Sequence, residues 1–215
     1  MTSSSKLKKE IEIKLGELTL KAILTVPDKA IGLVLFAHGS GSGRLSPRNN
    51  FVAGILNDSG IATLLADLLT VQEEKDRRNV FDIDLLAERL VAITNWAWQE
   101  KNLKDLSIGY FGASTGAAAA IEAEVLVGNI DAIVSRGGRP DLAKNLSKVK
   151  APTLLLVGGE DFDVILLNQE AFNKLKCQKK IEIIPGAGHL FEEPGTLEEV
   201  AELARQWFLK NLIVN

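Results

Sequence analysis

Two kinds of hydrophobic pattern follow one another along the chain. Residues 10–15 alternate as Glu-Ile-Glu-Ile-Lys-Leu and residues 18–22 as Leu-Thr-Leu-Lys-Ala, with Gly16-Glu17 between them. Strict alternation puts the apolar side chains on one face, which predicts an antiparallel hairpin with one buried side. From residue 31 the pattern changes. Residues 31–37 (Ile-Gly-Leu-Val-Leu-Phe-Ala) are apolar without a break, as in a strand covered on both faces. The same kind of run recurs at 61–66, 106–111, 130–134, 153–157 and 181–184. Helical patterns lie between these runs. One extends from Ser46-Pro47, an N-cap and first-turn pair, to Gly60. Others cover 82–101, the stretch after Ser114, and 164–176. The last opens with a capping-box pattern, Thr196-Leu-Glu-Glu199, and would bury Leu197, Val200, Leu203, Ala204, Trp207 and Phe208.

Strands alternating with helices join by right-handed crossovers into a mainly parallel sheet. The expected class is α/β, with eight strands, an antiparallel N-terminal hairpin and helices on both faces. Residues 1–215 read as a single domain. The long connection 67–79 is rich in charged residues and reads as an irregular, solvated loop placed where it would cover a site.

Composition narrows the function. Of 215 residues, 46% are hydrophobic and 25% charged, which is ordinary globular usage. A net charge of −3 with no basic stripe argues against a nucleic-acid partner. The lone cysteine, Cys177, excludes an internal disulfide. Two distant histidines, without H-x-H or H-E-x-x-H, make no metal ligand set, and neither metal nor cofactor is expected. The first ten residues lack the apolar core of a signal peptide, and no run approaches the ~20 residues that span a bilayer. A cytoplasmic monomer or homodimer without membrane contact is the expectation.

The chemistry concentrates at the ends of the apolar runs. Gly112-Ala113-Ser114-Thr115-Gly116 follows the run 106–111 and precedes four alanines. A strand, a G-x-S-x-G turn and a helix in that order form a nucleophile elbow. The bare pattern arises by chance in roughly one chain in fifteen of this length, so its setting carries the weight. In a doubly wound sheet, ligands bind beyond the carboxyl ends of the strands. There stand His38-Gly-Ser-Gly-Ser-Gly-Arg44, Ser114, Ser135-Arg136-Gly-Gly-Arg139-Pro-Asp141, Gly158-Gly-Glu-Asp161 and Pro185-Gly-Ala-Gly-His189. Both histidines of the chain fall on this edge. The Gly39-x-Gly41-x-Gly43 run lacks the lysine of a P-loop and the spacing of a dinucleotide fingerprint.

The order Ser114, Asp161, His189 is that of the α/β-hydrolase triad. Over essentially its full length the chain resembles a small, lidless member of that superfamily, close to the dienelactone-hydrolase-like group. His38-Gly39 matches the family's oxyanion-loop pattern. In dienelactone hydrolase itself the nucleophile is a cysteine, so the serine here does not carry lactone specificity across. The resemblance implies a serine hydrolase acting on a small-molecule ester-type substrate through an acyl-enzyme. Ser114 would be the nucleophile, His189 its base, and Asp161 the group that orients the imidazole. The N–H groups of Thr115 and Ser40 would form the oxyanion hole. His38 competes as base, and Asp163 and Asp141 compete as acid. Arg44 and Arg136 are candidates for an anionic substrate group, with Arg48 and Arg139 nearby, and structural pairing with Asp141, Glu192 or Glu193 is the competing role. Phe162 and Leu190, together with Leu45 and Phe191, are candidates for an apolar pocket. The rival from another class is a non-catalytic α/β-hydrolase-fold protein that binds a small molecule or a partner.

Overall fold

The computed structural model describes residues 6–212, whose strands form one eight-stranded sheet. Strands β1 (Lys6–Leu15) and β2 (Leu18–Pro27) make the expected hairpin. Six parallel strands follow: β3 (Leu33–Ala37), β4 (Ala62–Ala66), β5 (Ile108–Ala113), β6 (Ala132–Arg136), β7 (Thr153–Gly158) and β8 (Lys179–Ile184). The order across the sheet is β1-β2-β4-β3-β5-β6-β7-β8. The hairpin is longer than its alternating stretch. Beyond Ala22, strand β2 also pairs antiparallel with β4, from Ala22↔Ala66 to Thr25↔Thr63, and successive residues Ala22 to Thr25 are buried. Covering both faces erases the alternation that marks a half-exposed strand.

The helices are α1 (Pro47–Asp58), α2 (Arg77–Val80), α3 (Ile83–Gln99), α4 (Thr115–Val127), α5 (Phe162–Lys174) and α6 (Thr196–Asn211). They sandwich the sheet, and each unbroken apolar run divides its side chains between the two cores. Leu33, Leu35 and Ala37 of β3 join α3 and α4, while Val34 and Phe36 join α1 and α6. Strand β8 departs from this rule. It sits at the edge, and Ile183 is 39% exposed.

Two local expectations are corrected. Thr196 does not cap α6. Gly195, in the left-handed region, holds the cap position, and the Thr196 hydroxyl donates back to the Glu193 carbonyl at 2.7 Å. Nor is the connection 67–79 irregular throughout. The Thr70 amide donates to the Glu73 carboxylate at 2.8 Å and the Glu73 amide donates to the Thr70 hydroxyl at 3.2 Å. This is the reciprocal capping box that Thr70-x-x-Glu73 encodes. Asp76 and Asp82 then cap α2 and α3, and Arg89 of α3 binds Glu73 at 2.6 Å.

The sheet reverses direction between β3 and β5. From β3 the chain crosses to β4 on one side, and from β5 to β6 on the other, which opens a crevice at the strand ends. Ser114 stands there with φ 51° and ψ −124°, a conformation that L-residues rarely adopt. Its neighbours must be glycine. A Cβ on Gly116 would lie 2.1 Å from the Ala37 carbonyl oxygen, and one on Gly112 would lie 2.5 Å from Ala117 Cα. The Ser114 amide donates to the Arg136 carbonyl at 3.3 Å and its carbonyl accepts from the Arg139 amide at 3.0 Å. Strand β6 and the loop after it therefore grip the strained residue from both ends.

Gly116→Ala is expected to cost about 3 kcal/mol, a fall in Tm of roughly 6–12 °C by calorimetry, because fixed backbone blocks the added carbon. Gly54→Ala is the control. It lies inside α1 with nothing within 4 Å of a new Cβ, and should stabilise by about 0.5–1 kcal/mol. Ser114→Gly should exceed Ser114→Ala in stability by about 1–2 kcal/mol in the same measurement, because only glycine relieves the dihedral strain.

Candidate active site

Ser114 opens into a cavity of about 260 Å³ whose walls include Gly39, Ser40, Arg48, Arg136, His189 and Leu190. His189 comes from the loop after β8 and Asp161 from the end of β7. The His189 Nδ1 to Asp161 Oδ2 distance is 2.6 Å. Asp161 occupies the N-cap position of α5 yet caps no amide, since its carboxylate turns to the imidazole instead. Its side chain is 15% exposed while that of His189 is 40% exposed, so the imidazole meets both the carboxylate and the open cavity. The loop that presents His189 is anchored by Phe191, buried with φ 55°.

The competing groups are engaged elsewhere. Asp141 forms two bonds to Arg139, at 2.9 and 2.8 Å. Asp163 is exposed in the first turn of α5. His38 is buried. Its Nδ1 lies 3.0 Å from the Gly39 carbonyl, and its Nε2 accepts from the Leu68 amide at 3.0 Å. A carbonyl only accepts and an amide N–H only donates, so these partners assign the neutral tautomer with the proton on Nδ1. The ring thereby ties the loop after β3 to the segment after β4.

That loop runs hard against Ser114. A Cβ on Gly39 would lie 2.8 Å from Ser114 Cβ. Ser40 follows on the cavity wall. Thr115 is buried as the first residue of α4, where an amide has no acceptor within its own helix.

The residues suggested for substrate contact divide. Arg136 and Leu190 line the cavity. Arg44 does not. Its amide and Nη1 each bond Asp67 at 2.7 Å, and Nη2 lies 3.7 Å from Glu10, which makes it a brace for the loop after β3. Phe162 is 67% exposed and lies outside the cavity walls. Arg48, four residues beyond Arg44, lines the cavity in its place. Ser46-Pro47 marked where α1 begins, and with it the turn that aims residue 48 at the strand ends. A second cavity of about 170 Å³ shares Gly39, Ser40 and Ser42 with the first and is walled by Leu69, Val80 and Leu86. These apolar residues lie in and beside the charged connection, where the surrounding polarity hid them.

Known proteins place this arrangement. The chain is 53% identical over 206 residues to two strain versions of a Mycobacterium tuberculosis protein provisionally named a phosphoribosyl transferase. That match covers 94% of this chain and 46% of the relative, so the chain spans about half the length of these curated relatives. Among solved structures it resembles a dienelactone hydrolase from Anabaena variabilis, with 51% identity, a TM-score of 0.94, and coverage of 96% of this chain and 99% of that one. Est1E from Butyrivibrio proteoclasticus shares the fold at 18% identity and a TM-score of 0.79, covering 94% of this chain and 98% of that one. The sequence model of the dienelactone hydrolase family matches residues 20–211, nearly the whole described fold. The chain belongs to the dienelactone hydrolase family.

Proposed function

We propose that this protein is a serine hydrolase that cleaves a small ester-type substrate, a carboxylester, lactone or thioester, through an acyl-enzyme. The observation that carries this reading is that His189, which lines the cavity that Ser114 opens into, is held by Asp161 at 2.6 Å. Ser114 Oγ gives its proton to His189 Nε2 as it adds to the carbonyl carbon. Asp161 holds the Nδ1–H and steadies the imidazolium that forms. The carbonyl oxygen, now an anion, is received by the amides of Thr115 and Ser40, each worth about 3 kcal/mol in such sites. When the intermediate collapses, the bond to the leaving group breaks and His189 returns the proton to it. Water repeats the sequence on the acyl-enzyme, which frees the acid and restores Ser114.

The family and its hydrolase relatives support the reaction class. The apolar cavity beside the oxyanion loop suits a hydrocarbon part of the substrate. The transferase name of the Mycobacterium tuberculosis relatives describes a protein about twice the length of the matched stretch, and its chemistry is not carried over. We also assign residues 1–215 to one catalytic domain working in the reducing cytoplasm. The lone thiol, Cys177, leaves the chain without an internal disulfide, which fits that setting.

A fluorophosphonate probe should label Ser114, with the adduct located by mass spectrometry and absent from Ser114→Ala. A native protein that stays unlabelled would return the non-catalytic reading to first place. Asp161→Asn should lower kcat/KM on a 4-nitrophenyl ester by roughly 10²–10⁴-fold, since it misorients the imidazole. Asp141→Asn should hold it within about threefold, because that carboxylate faces Arg139.

A further inference from the structure

Each end of the sheet leaves one strand with an unpaired side, β8 at one end and β1 at the other. Such an edge offers free backbone donors and acceptors to another strand. Folded proteins usually blunt it by shortness, proline, a bulge or repelling charge. Strand β8 is blunted. It has six residues, and its charges close on each other, Lys180 with Glu182 at 2.5 Å. Strand β1 is not. It runs for ten residues without proline or glycine. It pairs with β2 at every residue from Lys6↔Pro27 to Leu15↔Leu18, so no bulge twists it away.

The side chains of β1 are matched to a strand like itself. Ile11, Ile13 and Leu15 turn toward the core shared with α3, and Leu7 continues that face with 54% exposure. A groove of about 400 Å³ lies beside Leu7, walled by Leu24, Val26, Leu103 and Leu106. Lys8, Glu10, Glu12 and Lys14 stand on the opposite face, all exposed. Among the described residues Lys8, Glu12 and Lys14 form no ion pair, and Glu10 has only a 3.7 Å contact with Arg44.

The order of these charges selects a register. Only antiparallel pairings that keep the two apolar faces on one side are open to a second copy. With Lys9 opposite its own copy, Lys8 faces the partner's Glu10 and Leu7 faces the partner's Ile11, each twice by symmetry. Centring the pair on Glu10 or Glu12 brings two carboxylates together. Centring it on Ile11 sets Glu10 against the partner's Glu12 and Lys8 against the partner's Lys14. Centring it on Ile13 matches Glu12 with the partner's Lys14 but uses only the end of the strand and leaves Leu7 uncovered. In the favoured register the like contact is Lys9 with its copy, and the long stems let both ammonium groups part into solvent.

We propose that this protein forms a two-fold dimer in which β1 pairs antiparallel with the β1 of a second copy, so that one continuous sheet crosses both. The Lys8–Glu10 pairs set its register, and Leu7 with the partner's Ile11 supplies its apolar contact. Strands β2, β4 and β3 separate this edge from β5 and Ser114, so the pairing leaves the cavities open and is independent of the reaction assigned above. Edge pairing of this length buries less than the roughly 800 Å² per partner of a standard interface, which predicts a dissociation constant of roughly 1–100 µM.

Sedimentation velocity between roughly 1 and 300 µM should follow monomer into dimer. Lys8→Glu should raise the dissociation constant roughly tenfold or more, since each dimer then opposes two pairs of carboxylates, and Glu10→Lys should act alike. Lys8→Glu/Glu10→Lys should return it to within about threefold of the starting value, a rescue that damage to the strand alone would not give. Cysteine pairing reads the register in a Cys177→Ser background. Lys9→Cys should give a disulfide-linked dimer with oxidised glutathione, because opposed residues of antiparallel strands stand roughly 4.5–5.5 Å apart. Glu12→Cys should not, because its two copies would lie roughly 20 Å apart. A chain that stays monomeric up to about 300 µM, a dimer indifferent to Lys8→Glu, or a disulfide that forms with Glu12→Cys in preference to Lys9→Cys overturns the proposal.

Discussion

The close approach of three backbone segments around Ser114 underlies everything else at this site. Strand β3 ends in Ala37 and His38, whose carbonyls crowd Gly116. The turn out of β5 folds back until Gly112 meets Ala117, and Gly39 rides against the serine side chain. Any side chain at these glycines would push the segments apart. The strain at Ser114 is therefore held by packing from β3, β5 and the loop after β6 together, and no single bond sustains it. Removing the crowding would release the strained backbone of Ser114 and the loop after β3 that packs on it.

Charge is handled differently on the two sides of the rim. Arg44 with Asp67, and Arg139 with Asp141, are closed pairs that brace loops. Asp161, by contrast, gives up the capping bond that its place at the head of α5 offers, and Arg136 gives up a counter-ion. The local rules of stability are obeyed next to the cavity and broken inside it. The carboxylate released from capping is what an imidazole partner requires.

Much of this was legible in the chain. The unbroken apolar runs fixed the parallel strands because a side chain on either face meets a helix. The hairpin alternates because one face does not. Ser114, Asp161 and His189 were readable because the strand ends of such a sheet share one edge, whatever their separation in sequence. The arginines were not. Arg44 and Arg48 look equivalent in the string, and only the start of α1 between them turns one toward Asp67 and the other toward the cavity. Phe162 reads as a pocket residue beside Asp161, but α5 carries it outward. The ordered segment after β4 was encoded by Thr70 and Glu73, a pattern easily lost among charges. Thr196 shows the reverse error, since a sound capping sequence was displaced by Gly195 and its positive φ. Short-range patterns compete, and the surrounding fold decides which of them forms.

The strained serine with its neighbours and the walls of the cavities around it come from different parts of the fold. The Ser114 hydroxyl, the His189 imidazole and the Asp161 carboxylate all sit directly after β5, β8 and β7, where sheet packing sets their geometry. The cationic wall comes from α1 and the end of β6. The apolar wall comes from Leu69, Val80 and Leu86, on a segment held by its own capping box and by Arg89. The two cavities meet at Gly39, Ser40 and Ser42, beside the Ser114 side chain. Surface segments vary more readily than a packed strand end. Such a division lets the cavity walls change along α1 and residues 67–86 while the strained serine and its neighbours stay where the sheet puts them.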